Sequence, residues 1–173
     1  MMLSRDGVAF LDNGRTAHIS CYLREDGTAP LNDGSSPDFL RGVHVLIVED
    51  NEDTLQLLKS SFEYSGAFVT AAATATAGKR LLREIVPHVI VSDISMPDDG
   101  FSLVADVLAF GKELGSIIPA IAITAAADRV DHLRKAGFSA FIAKPLDPFV
   151  LTVVAEKLTR RSADDSSKLH RSA

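Results

Sequence analysis

The sequence has little of what stabilises secreted proteins or anchors membrane proteins. Its 173 residues include one cysteine, Cys21, so no disulfide framework can form within the chain and a reducing compartment is the simplest interpretation. No apolar run approaches the roughly 18 residues that a membrane-spanning helix needs, and the first residues lack the apolar segment of a secretory signal. A cytoplasmic protein with no membrane partner is therefore expected.

An excess of basic residues is also missing. The 18 lysines and arginines are outnumbered by 23 aspartates and glutamates, which gives a formal net charge of -5. This balance argues against direct nucleic-acid binding, because contacts with phosphates need clustered positive charge. No glycine-rich loop follows the first buried strand, which argues against a nucleotide site, and the five histidines lack metal-binding spacing.

Residues 1–42 differ in composition from the rest of the chain and are predicted to form an N-terminal extension. Two short apolar stretches flank Asn13 and Gly14, a pair that suits the positive φ angles of a two-residue hairpin turn. The alternative is a flexible extension that merely contains this pair. Residues 28–38 are rich in Pro, Asn, Asp, Gly and Ser, which predicts a linker.

Residues 43–158 alternate between apolar patterns typical of strands and of helices. The nearly continuous apolar run at 43–48 predicts a strand that is buried on both faces. Four more short strands are predicted at 68–71, 89–91, 120–123 and 138–143, with a helix after each of the five strands. This alternation predicts an α/β fold, a doubly wound five-stranded parallel sheet with helices on both faces. The polar residues 159–173 are predicted to be a disordered tail.

Polar residues follow four of the predicted strands. In a doubly wound sheet, ligands bind beyond the carboxyl ends of the strands, so these residues are the candidates for chemistry. They are Glu49 and Asp50 after the first strand, Asp93 at the third, Thr124 at the fourth and Lys144 at the fifth. Each alone has an ordinary explanation as a helix cap, a turn residue or a solvated charge. Their occurrence together at one edge of the sheet favours a site.

The chemistry of these side chains suits a phosphoryl group. Clustered carboxylates repel one another unless a cation lies between them, and Mg²⁺ suits a site of a few carboxylates, waters and a phosphate. Lys144 can neutralise an incoming anion, and the Thr124 hydroxyl can donate a hydrogen bond to it. Asp93 can act as a nucleophile toward phosphorus and form an acyl phosphate.

Four motifs resemble those of response-regulator receiver domains. They are Val-Leu-Ile-Val-Glu-Asp-Asn at 45–51, Val-Ser-Asp-Ile-Ser-Met-Pro-Asp-Asp-Gly at 91–100, Ile-Ala-Ile-Thr-Ala at 121–125 and Phe-Ile-Ala-Lys-Pro at 141–145. The resemblance covers about residues 43–158, with all four motifs in the family's order. It implies a flavodoxin-like sheet with strand order 2-1-3-4-5.

The resemblance also implies a role for each candidate residue. Asp93 would be the phosphoacceptor, contacted after transfer by Thr124 and Lys144. Magnesium would be held by Glu49, Asp50, Asp93 and the backbone carbonyl of Ser95. Phe141 matches the aromatic switch position that moves inward when the phosphoryl group is bound. Because phenylalanine has no hydroxyl, burial alone would have to drive that movement.

A signalling switch rather than a metabolic enzyme is what the resemblance implies. A sensor histidine kinase or a histidine phosphotransfer protein would supply the phosphoryl group, and slow self-dephosphorylation would reset the domain. A downstream protein is expected to bind the face formed by helix four, strand five and helix five, which the family often uses for homodimers. Whether the chain stands alone or derives from a hybrid kinase is left open by the residues.

Two other functions remain as alternatives. A phosphohydrolase of the haloacid dehalogenase type also forms an aspartyl phosphate, but that family has Asp-x-Asp after its first strand, whereas Glu49 and Asp50 are adjacent here. The second alternative is a receiver-fold scaffold that works without phosphorylation. The loops after Asp93 and Thr124 are shorter than the usual family pattern, which predicts a smaller conformational response and keeps the scaffold alternative open.

Overall fold

A mixed β-sheet with helices on both faces forms the centre of the computed structural model, which describes residues 8–12, 15–18, 38–96, 100–125 and 130–171. The strands in these ranges are β1 (Val8–Asp12), β2 (Arg15–His18), β3 (His44–Val48), β4 (Phe68–Ala72), β5 (Val89–Asp93), β6 (Ala120–Thr124) and β7 (Ala140–Ala143). The helices are α1 (Glu52–Tyr64), α2 (Ala75–Ile85), α3 (Gly100–Leu114), α4 (Val130–Ala136) and α5 (Pro148–Arg171).

The strand order of the sheet is β2-β1-β7-β6-β5-β3-β4. The five strands from β3 to β7 are parallel, and counted from β3 their order is 2-1-3-4-5. The predicted fold class is therefore confirmed. All residues of β5 and β6 are buried, which explains their continuous apolar pattern, because helices cover both faces of a parallel sheet.

Alternate residues of the strands serve two hydrophobic cores. On one face, Val45 and Ile47 pack with the apolar sides of α1 and α5. On the other face, Leu46 and Val48 pack with α2 and α3. The same face continues under α4, where Leu133 and Phe141 belong to a third cluster. The two-residue period of the strands thus supplies apolar side chains to both faces, while the carboxyl ends of the parallel strands meet at one edge of the sheet.

The backbone of the N-terminal extension contributes two strands to the sheet. β1 and β2 are antiparallel, with Asp12 opposite Arg15, which is the arrangement of the hairpin alternative. β1 also pairs antiparallel with β7, where Ala9 lies opposite Phe141. The sheet is therefore wider than the five strands that the sequence predicted. Residues 13–14 of the proposed turn and residues 19–37, which include most of the predicted linker, lie outside the described residues.

Helix α5 is longer than the sequence predicted. It runs for 24 residues from Pro148 to Arg171, whereas residues 159–173 were expected to be a disordered tail. Polar composition alone did not exclude a helix, because a segment that continues from packed turns needs no new nucleation. An ion pair between Arg160 and Glu156, one turn apart, supports the continuation. Of the helices in the described ranges, none is both long and apolar enough to cross a bilayer.

Candidate functional site

Three carboxylates meet at the carboxyl edge of the central strands. Glu49 and Asp50 follow β3 and Asp93 ends β5, and these two strands are neighbours with Val48 opposite Ser92. One oxygen of each carboxylate lies within 4.8 Å of the others. Glu49 and Asp93 are buried, at 0% and 3% exposure, while Asp50 is exposed. The structure thus brings together the three acidic residues that the sequence analysis singled out.

The next residue, Asn51, leaves both acidic residues available for the site. Asn51 is the N-cap of α1, and its side chain accepts a hydrogen bond from the Thr54 N–H at 2.9 Å. The ordinary explanation of Asp50 as a helix cap is therefore wrong. Asn51 also donates its backbone N–H to Oε1 of Glu49 at 3.1 Å. Sequence reasoning missed this residue, although an asparagine just before an apolar helical pattern is a typical start signal.

Glu49 carries a charge that protein groups do not fully compensate. Its Oε2 is buried and has no hydrogen-bond partner among the described residues, and the Lys144 Nζ lies 3.9 Å away. Burial raises the pKa of the Glu49 carboxyl, and the charges of Asp93 and Asp50 raise it further, against the opposing effects of the Asn51 N–H and Lys144. Such an oxygen fits a hard cation, which accepts carboxylate ligands.

Lys144 and Asp93 form the shortest charged contact of the site. The Lys144 Nζ donates to Oδ2 of Asp93 at 2.6 Å, and the Ser95 N–H donates to Oδ1 at 2.7 Å. Burial alone lowers the pKa of Lys144, but the hydrogen bond to Asp93 and the three carboxylate charges outweigh it, so the pKa is raised. Lys144 therefore stays an ammonium ion at neutral pH.

Thr124 and Phe141 lie on the two strands beside this contact. Thr124 ends β6 and is 1% exposed, one residue beyond Ile123, which lies opposite Asp93. The Lys144 N–H donates to the Thr124 carbonyl at 2.8 Å, which holds the end of β7 against β6. Phe141 in β7 is fully buried, so its ring occupies an inward position.

The loop after β5 reaches the cluster through Ser95, whose N–H binds Asp93. The role of the Ser95 carbonyl as a metal ligand stays a prediction. The shortened loops fall largely on residues 97–99 and 126–129, which lie outside the described residues. The prediction of a smaller conformational response also stays open.

The motif order, the sheet and the carboxylate cluster agree with a family comparison. The family model of the response regulator receiver domain matches residues 45–156. The chain belongs to the response regulator receiver family. The resemblance inferred from the four motifs is thus confirmed, and this receiver is involved in two-component signalling.

Known relatives of this receiver include small proteins and isolated domains. An uncharacterised 14.6 kDa protein of Leptolyngbya boryana is 41% identical over 116 residues, covering 65% of this chain and 86% of that protein. The polar-differentiation response regulator DivK of Brucella abortus is 36% identical over 104 residues, covering 59% and 84%. The receiver domain of the sensor histidine kinase PA1611 of Pseudomonas aeruginosa, solved with a magnesium ion in its active-site cleft, has a TM-score of 0.60 and 26% identity, covering 68% and 98%.

Proposed function

We propose that this receiver accepts a phosphoryl group on Asp93 and that the modified state changes a protein contact. The observation that carries the proposal is the 2.6 Å contact between Lys144 Nζ and Asp93 Oδ2 beside two further carboxylates. It supplies a nucleophile, a fixed cation and oxygen ligands at one edge of the sheet. A histidine kinase or a histidine phosphotransfer protein in the cytoplasm is the proposed donor.

The side chains present fit magnesium. Carboxylate oxygens are the ligands that Mg²⁺ prefers, and Oε2 of Glu49 is a buried oxygen without a hydrogen-bond partner among the described residues. Asp50 and Asp93 would bind the ion directly, Glu49 would act through water, and the Ser95 carbonyl would add an oxygen. When bound, Mg²⁺ supplies positive charge that offsets the charge of the transferring group.

The residues of the chain itself account for the rest of the transfer. An Asp93 carboxylate oxygen attacks the phosphorus of a phosphohistidine, an O–P bond forms, the N–P bond breaks and the imidazole leaves with the bonding electron pair. Lys144 is already charged and in place, so no reorganisation is needed to stabilise the phosphoryl oxygens. Thr124 ends the neighbouring strand, and we propose that its hydroxyl donates to them after the transfer.

The output is proposed to be a protein contact on the face of α4, β7 and α5. Thr124 and Phe141 lie on β6 and β7, so a change at the phosphoryl group reaches this face through neighbouring strands. Phosphoryl binding shifts a two-state equilibrium by its differential affinity for the two states. The partner is a downstream protein or a second copy of the chain, and slow hydrolysis of the acyl phosphate resets the domain. Neither nucleic acid nor a membrane enters the proposal.

One observation favours a second candidate, a receiver-fold scaffold that needs no phosphorylation. Phe141 is fully buried, which corresponds to an inward position of its ring. If the inward position is permanent, the contact face does not change on phosphorylation. The haloacid dehalogenase alternative has no comparable support.

Labelling by acetyl phosphate with Mg²⁺, read by intact-protein mass, tests the proposal. The wild type is expected to gain one phosphoryl group and Asp93→Asn none. Asp131→Asn, an exposed aspartate of α4, is the matched control and is expected to label like the wild type. Equal labelling of wild type and Asp93→Asn would overturn the site assignment. A wild type that neither labels nor binds beryllofluoride would favour the scaffold.

A further inference from the structure

Strand β7 is the last strand of the parallel sheet, yet its outer side is occupied. β6 pairs with one side of β7, with Ala122 opposite Phe141. On the other side β1 pairs antiparallel, with Val8 opposite Ile142 and Ala9 opposite Phe141. The N-terminal hairpin thus covers backbone groups that a free edge would expose.

The composition of β7 explains why such an edge needs a cover. Its residues are Ala-Phe-Ile-Ala, and Phe141 and Ile142 are 0% and 1% exposed because helices cover both faces. A charged side chain, which commonly blunts an edge strand, has no room on this strand. An unpaired apolar edge is a template for pairing with another chain.

The hairpin replaces this edge with one of a different kind. β2 becomes the outermost strand, and its sequence is Arg-Thr-Ala-His over four residues. Short strands that carry charged or polar residues resist edge-to-edge association. By sequence, the exchange turns an apolar edge into a polar one.

We propose that the β1–β2 hairpin is a detachable cap on the β7 edge, and that it competes for this edge with a second copy of the chain. β1 shows that the outer side of β7 accepts an antiparallel strand. A two-fold axis perpendicular to the strands makes two β7 strands antiparallel, so β7 of a second copy can meet the same requirement. The proposal does not depend on phosphorylation.

The length of the connection permits the cap to leave and return. Residues 19–37 join β2 to the described part of the chain at Asp38, and such a segment spans up to roughly 60 Å. Five strand spacings, or about 24 Å, separate β2 from β3 across the sheet. A tethered strand acts at an effective concentration of about 1 mM, so the cap prevails over a second copy present at micromolar concentration.

Proline substitution in the full-length chain tests the cap. β1 lies between two strands, so each of its N–H groups faces β2 or β7, and a proline at Ala9 removes one of them and disturbs the pairing. Ala29→Pro makes the same exchange in the predicted linker and is the matched control. Val8→Pro alters a second β1 residue and is expected to act like Ala9→Pro.

Two measurements decide the outcome. Hydrogen exchange of the β7 amides in dilute solution is expected to be faster in Ala9→Pro than in the wild type and the control. Sedimentation velocity is expected to show a dimer dissociation constant lower by about tenfold or more in Ala9→Pro, since the competing strand is removed. Unchanged β7 exchange would show that the hairpin does not cap β7. Faster exchange with unchanged self-association would show that a second copy is not the competitor.

Discussion

Replacement of Lys144 by methionine measures how much the site depends on its cation. Methionine keeps much of the apolar stem of lysine but leaves Asp93 without its 2.6 Å partner, beside Glu49 and Asp50. Breaking a fully buried ion pair costs about 3–5 kcal/mol. The Lys144 side chain is 33% exposed, so solvent screening reduces the expected loss to about 2 kcal/mol.

Urea unfolding in the presence of a chelator is the assay. With an m-value of about 2 kcal/mol/M, the loss corresponds to a midpoint lower by about 1 M urea at an unchanged slope. Lys135→Met, which removes an exposed lysine of α4, is the control and is expected to change stability by less than about 0.5 kcal/mol. Added Mg²⁺ is expected to stabilise Lys144→Met more than the wild type, because the variant lacks the lysine charge that partly balances the three carboxylates.

A double-mutant cycle with Asp93→Asn separates charge from packing. In the Lys144→Met background, Asp93→Asn removes the uncompensated charge and is expected to restore most of the loss, with a coupling energy of about 1–2 kcal/mol. Additive effects of the two substitutions, or a loss below about 0.5 kcal/mol for Lys144→Met alone, would refute the electrostatic reasoning.

Three further predictions concern the charge, acid sensitivity and packing of the domain. In the presence of a chelator, Glu49→Gln is expected to raise the free energy of unfolding by about 1–2 kcal/mol at neutral pH, since it removes a buried negative charge that its surroundings do not fully compensate. Because the folded-state pKa of Glu49 is raised, thermal unfolding should show this gain growing as the pH rises above the ordinary 4.5, and a constant gain would contradict it. Burial and His88 lower the pKa of His44, so stability should fall as the pH drops below 6.5, and less so in His44→Gln. Gly78→Ala is expected to lose about 1–2 kcal/mol in urea, despite better helix propensity, because a Cβ would lie 2.8 Å from the Val48 side chain.

The parallel sheet and the acidic cluster were predictable because each depends on a short pattern. Apolar runs mark strands buried on both faces, and the residue after each strand lies at the same edge of the sheet. Glu49 and Asp93 could therefore be placed together without knowledge of their side-chain contacts. The position of the helix cap was harder to predict. Asp50 and Asn51 are both residue types that cap helices, and the spacing of the apolar residues does not say which of the two begins α1.

The two ends of the chain were harder to predict. Asn13-Gly14 indicated a hairpin, but nothing local says that β1 pairs with β7, more than a hundred residues away. The polar composition after Leu158 indicated a tail, yet α5 continues to Arg171 because a packed helix has already overcome its nucleation barrier. Both misses concern long-range or cooperative effects that a sequence window does not contain.

Three successive residues after β3 have different roles. Glu49 is the buried carboxylate of the cluster, Asp50 is its exposed carboxylate, and Asn51 is the N-cap of α1. Deleting Asn51 would move Asp50 into the capping position and take its carboxylate away from the cluster, while the helix would still start normally. Such a chain would fold and keep its net acidity but lose an oxygen from the cluster. The length of this connection therefore determines whether the three carboxylates meet, separately from the identity of its residues.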